Sequence, residues 1–182
     1  MNSKGFSIHI VRQHWLGDDP DVAKVDLCSH GGLRITVGEQ VISDGTEDYG
    51  VSETALALLR TLDRDHTPAS LVAEKLVFHG CGTMLMMGCP IGIDWSVKHL
   101  PGDRVRLANI RRFDTTNEND AVRFGDLAVE IDGSAYRHEV IRFAQGVKRF
   151  FDGVAKVPED AYDREQYEHF WQECDTLLAR FG

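Results

Sequence analysis

The chain has 182 residues, 42% of them hydrophobic and 27% charged, with a formal net charge of −9. That is the composition of an ordinary globular protein, long enough to bury about 70% of the surface its unfolded form exposes. The acidic balance repels phosphate backbones and anionic lipid, and the longest apolar runs are too short to span a bilayer, which argues against nucleic-acid and membrane partners.

The first ten residues contain no apolar stretch of signal-peptide length, and His9, Arg12 and Gln13 interrupt the pattern early, so the expected location is cytoplasmic. Cys28, Cys81, Cys89 and Cys174 are then expected to be reduced thiols. Phe6, Ile8 and Ile10 alternate as a first strand. Leu33, Ile35 and Val37, followed by Gly38-Glu39 and then Val41 and Ile42, read as a hairpin. Ser52 is a plausible N-cap for a helix carrying Ala55, Leu58, Leu59 and Leu62, closed by Pro68.

Between His79 and Trp95 the chain packs glycines around a Met-Leu-Met-Met run, as expected of a bend leading into a core strand. Ile93, Trp95 and Val97 alternate with Asp94, Ser96 and Lys98, a half-buried strand turned back by Pro101-Gly102-Asp103. Leu127, Val129 and Ile131 alternate into Asp132-Gly133, a hairpin or sharp-turn signal. Tyr136, Val140, Phe143, Ala144, Val147, Phe150 and Phe151 form an apolar helical stripe ending near Gly153. A last helix starts at Asp163, with Gln166 completing a variant of the capping box, and carries Phe170, Trp171 and Cys174 on one face. The element order predicts one α+β domain over residues 1–182, a mostly antiparallel sheet with about three helices packed on it. Trp95, Phe143 and Trp171 are expected in one core.

Two clusters bear on chemistry. Cys28-Ser-His30 and His79-Gly-Cys81 are i, i+2 pairs that share a strand face, and with Cys89 they offer five borderline or soft ligands. No paired knuckle such as Cys-x-x-Cys occurs, so packed thiols are the favoured reading and no metal or other cofactor is expected. Cys81, between two glycines and near His79, has the freedom of an exposed nucleophile, but no hydrolase signature surrounds it. Phosphate-binding glycine motifs are missing from the sequence. Asp94 reads as a surface or loop-capping carboxylate before an active-site acid. Arg104, Arg106, Arg111 and Arg112 read as an ion-pairing strand face.

Carboxylates concentrate at Asp44, Glu47 and Asp48, at Glu118 and Asp120, and at Glu159, Asp160, Asp163 and Glu165. Loops presented by a rigid scaffold are common recognition sites, so Asp44, Glu47, Asp48, Glu118 and Asp120 are the partner-binding candidates.

Several stretches occur together in a fixed order: Asp26-Leu-Cys-Ser-His-Gly31, Val51 to Leu62 with His66, and Cys89-Pro-Ile-Gly-Ile-Asp-Trp-Ser-Val-Lys-His99. Val140 to Phe151 and Tyr167-Glu-His-Phe-Trp171 complete the series. With them the chain resembles a family of bacterial proteins of unknown function, and the small α+β immunity proteins that accompany bacterial polymorphic toxins. The resemblance brings no catalytic residues. It implies a non-catalytic protein that acts by binding a protein partner, such as a basic toxin domain. The alternative is a small enzyme with a thiol or metal centre around Cys81 and His79.

Overall fold

The computed structural model describes residues 5–17, 19–68, 75–79 and 91–182. The expected Met-rich bend lies outside the described residues. In chain order the strands and helices are β1 (Phe6–Ile10), α1 (Pro20–Val25), β2 (His30–Gly31), β3 (Leu33–Val37), β4 (Gln40–Asp44), β5 (Tyr49–Gly50), α2 (Val51–Arg60) and β6 (Val77–Phe78). There follow β7 (Gly92–Leu100), β8 (Arg104–Phe113), β9 (Val122–Arg123), β10 (Val129–Asp132), α3 (Gly133–Phe151) and α4 (Ala161–Phe181). The protein is α+β, and its described strand pairings are antiparallel.

Three sheets form among the described residues: β1-β3-β4, β10-β8-β7-β6 with β9 on the far end of β8, and the short pair β2-β5. The β3–β4 hairpin turns at Gly38, whose φ of 61° favours a residue without a Cβ. The β7–β8 hairpin turns through Gly102 and Asp103, at φ 77° and 52°. Midway along that ladder the register shifts between Asp94 and Ser96. Asn109, opposite the shift, sits at φ 56° and donates its Nδ2 to Ser96 Oγ at 3.0 Å. Such a bulge kinks a long ladder and increases its twist.

Alternation sends Ile93, Trp95 and Val97 inward, all at 0% exposure. Asp94 between them is buried as well, because both faces of this strand segment are covered. Trp95 packs on Phe6 at 5.8 Å between ring centroids, and Phe6 on Tyr136 at 5.4 Å, so strands and helix share one core. Phe143 belongs to that core as expected, whereas Trp171, expected in it too, is half-buried and packs against it from outside. α3 crosses β1 and closes that strand's free edge: Ile8 donates its N–H to Glu139 Oε1 at 2.9 Å, and Arg142 donates to Ile8 O at 2.6 Å. An edge strand whose backbone groups are taken this way cannot recruit another chain there.

Three boundaries differ from the sequence expectation. α2 begins at Val51 with Gly50 as its N-cap, because the Ser52 hydroxyl is engaged elsewhere: it accepts from Ser29 N and donates to Glu53. α4 begins at Ala161, since Asp160 caps it by accepting from Asp163 N at 2.8 Å. Asp132-Gly133 makes no hairpin; β10 runs straight into α3, and a Cβ at Gly133 would lie 2.3 Å from Asp103 Oδ1.

Candidate functional site

The short β2-β5 pair gathers a polar cluster. His30 and Gly31 pair with Gly50 and Tyr49, and Val51 N donates to Ser29 O at 2.8 Å, so the Asp26–His30 segment lies along the start of α2. Asp26 accepts from Leu16 N at 2.9 Å, from Cys28 N at 3.2 Å and from His30 Nε2 at 3.3 Å. Burial alone would raise this carboxyl, but those hydrogen bonds and the His30 charge outweigh it and leave it below the ordinary value. The neighbouring acid behaves in the opposite way. Burial pushes Glu53 up, against hydrogen bonds from Cys28 and Ser52. A thiol beside a buried carboxyl is a poor acid: burial first, then the charge of Glu53, hold Cys28 protonated far above its usual range.

Cys28 is 1% exposed and His30 3%. Of the five sequence candidates for a soft centre these two come together, but each is already bonded inside the core. His79 ends the β6 segment, half-exposed, with its N–H on Ile91 O at 3.0 Å. Cys81 and Cys89 lie outside the described residues. Among the described residues no group of three or more His, Cys, Asp or Glu side chains is arranged to hold a metal ion.

The partner-binding candidates divide. Asp44 ends β4 and accepts from Thr46 N at 3.0 Å and from Thr46 Oγ1 at 2.7 Å, which fixes the loop and lowers the carboxyl. Asp48 is half-buried and taken by Arg12 at 3.0 Å and His14 at 3.3 Å, while Arg12 also donates to Gly45 O and Thr46 O. Asp48 thus braces the loop while its side chain keeps 46% of its surface exposed. Glu47 between them is exposed. Glu118 and Asp120 sit on a 3-10 turn, Asp120 exposed and accepting from Asn117 Nδ2 at 3.0 Å.

Sequence reasoning missed two arrangements. His66 Nε2 meets Asp94 Oδ1 at 2.8 Å, and the same carboxylate accepts from Leu76 N and Trp95 N, tying three chain segments together. Asp94 is thus an internal fastening, neither a surface carboxylate nor an acid open to solvent. The second is the anchoring of α1, a six-residue helix of which no residue is buried. Asp19 caps it by accepting from Asp21 N at 2.8 Å. Lys156, about 130 residues away, donates to Ala23 O at 2.6 Å and Asp26 O at 2.7 Å and stands 3.1 Å over the Trp15 ring. Burial lowers the Lys156 ammonium to about 8, against the attraction of Asp26. The segment after it follows the helix, with Val157 N on Lys24 O at 2.8 Å.

A further cavity, about 390 Å³, lies between Gly5, Phe6, Ala135 and Ile131, where Arg104 faces Glu130 and Asp132 at 3.6 and 3.9 Å. Arg112 likewise pairs with Asp114 at 2.8 Å, so at these two positions the expected ion-pairing strand face is present. No helix among the described residues is long and apolar enough to cross a membrane. No protein-family model, curated protein or solved structure matches the chain.

Proposed function

We propose that the protein acts by binding a basic protein partner, most simply as a toxin-neutralising immunity protein of the kind its sequence resembles. The observation that carries this reading is the 44–48 loop, an acidic segment held in one shape by Arg12 with Glu47 left exposed. A pre-shaped acidic loop speeds encounter with a basic surface and loses no ordering entropy on binding. The buried chemistry supports it from the other side, since Cys28 is a protonated, packed thiol and His30 is bonded to Asp26.

The test begins with a pull-down from the native host, followed by association kinetics at two salt concentrations. Asp44→Asn with Glu47→Gln removes two charges while keeping the Asp44 oxygen that accepts from Thr46; Asp48 is left to hold Arg12. The expected outcome is a slower on-rate, a weaker salt dependence and an unchanged melting temperature. Finding no protein partner, together with turnover that disappears on Cys81→Ser, would reject binding in favour of a thiol enzyme.

A further inference from the structure

α1 raises a physical question, because helices in folded domains are normally held by burying one face. This one buries none, carries Val22 and Val25 outward, and is fixed instead by the Asp19 cap and the Lys156 ammonium. Two further apolar side chains join it. Leu16 is 56% exposed and tied by its N–H to Asp26, and Val157 is 53% exposed and tied by its N–H to Lys24. Among the described residues, four of the seven exposed large hydrophobic side chains thus lie on two segments bonded to each other. Apolar side chains gathered on the surface in this way mark interaction sites.

Charge says what covers it. Asp19 and Asp21 stand at the start of the helix and Glu159 and Asp160 follow Val157, all exposed. Lys24 pairs with Asp21 at 2.8 Å and cancels that charge, and Lys156 is turned inward onto Trp15, so Asp19, Glu159 and Asp160 set the negative sign of the rim. An anionic lipid surface is repelled by such a rim. A second copy of the chain would set these carboxylates against themselves. The 44–48 loop also borders this face through the 11–16 segment, since Asp48 bonds His14, the neighbour of Trp15, and Arg12 bonds Gly45.

We infer that the α1 face, with Leu16, Val22, Val25 and Val157 as its apolar centre, is where the partner anchors. The fitting partner element is an amphipathic segment presenting apolar side chains flanked by lysine or arginine. This rests on the binding reading above and assigns different kinetic roles to the two surfaces: the loop steers association, and the α1 face sets the lifetime of the complex.

The probe is a synthetic amphipathic helix with a leucine face and a lysine face, titrated into the full chain and followed by backbone amide shifts and surface kinetics. Two controls carry serine for leucine, or glutamate for lysine. The expected result is shifts centred on residues 16, 22–25 and 157, with both controls weaker by at least roughly tenfold. Val22→Ser with Val25→Ser, and separately Leu16→Ser outside the helix, should raise the off-rate by about tenfold and leave the melting temperature in place. Binding confined to residues 44–48, with off-rates untouched by these substitutions, overturns the α1 face but leaves a basic partner standing. Self-association that Val22→Ser with Val25→Ser abolishes overturns it in favour of a second copy. Failure of the lysine probe to bind at low salt overturns it too, and the pull-down then decides whether the broader reading falls with it.

Discussion

The surroundings of Trp95 and the surroundings of α1 hold their chain by opposite means. Trp95 lies among Phe6, Ile93 and Val97 with no exposed surface, fixed by apolar contact. α1 has no buried residue and is fixed by an aspartate cap, a lysine reaching in from beyond α3 and one backbone bond. The first kind of support is spread over many weak contacts, to which the buried Asp94 carboxylate adds its ties to His66, Leu76 and Trp95. The second is concentrated in a few atoms, so it should fail locally when one of them goes. The molecule can therefore yield at α1 without unfolding.

The largest expected effect belongs to the apolar side. Trp95→Ala removes a side chain enclosed on all sides, and such truncations cost on the order of 3–5 kcal/mol. A denaturant titration should show a lower midpoint, with every probe of structure lost together. A near-neutral result would mean that this core can collapse around the missing indole, and the contrast with α1 would lose its basis.

Lys156→Met tests the other side. Methionine keeps an apolar stem beside Trp15 but withdraws the hydrogen bonds to Ala23 O and Asp26 O and the charge over the ring. Losing hydrogen bonds from a charged donor costs about 1–3 kcal/mol. The loss should be local: amide exchange at residues 22–26 should accelerate while amides of β7 and β8 hold. If exchange rises evenly through the molecule, α1 belongs to the same cooperative unit as the sheet, and the proposed division fails.

The same contrast explains what the sequence let a reader see. β1, the β3–β4 and β7–β8 hairpins and the stripes of α3 and α4 announce themselves by period, because burial on one face repeats at 2 or 3.6 residues. α1 buries nothing, so it leaves no stripe; only Asp19-Pro20, a cap followed by proline at the first turn, hints at it. The lysine that holds it is about 130 residues distant, and no local pattern encodes that. The candidate site was legible in part. Cys28 and His30 lie in the same cluster, but Glu53, which adds to burial in holding the thiol protonated, sat unnoticed inside a helix read for its apolar stripe. The charge of the 44–48 loop was visible, whereas its bracing by Arg12 depends on tertiary contact across 33 to 36 residues.

The smallest effect is a change in pH dependence at the junction of the two regions, where Glu53 lies buried beside Cys28 and Ser52 and within the field of His30. Its carboxyl is raised above the usual 4.5, chiefly by burial. Below pH 4.5 the folded and unfolded chains both hold this proton, and the group's stabilising contribution is complete. As the pH rises, the unfolded chain gives the proton up first, so stability falls until the folded value is passed. Asp26 works in the opposite sense and in another window, because its lowered carboxyl stabilises above about 3.8 and loses that contribution as the pH falls through the folded value. Glu53→Gln stays neutral at every pH and keeps an oxygen for the Ser52 hydroxyl. Its melting temperature should therefore gain on the parent chain steadily from pH 4.5 upward. His14, raised chiefly by its bond to the Trp15 carbonyl, loses its own contribution above pH 6.5 in both chains, so subtracting the two curves removes it. Melting curves that run parallel from pH 4 to 8 would mean that the fold does not raise the Glu53 carboxyl, and the cluster would then be the more polar of the two regions instead of an extension of the core.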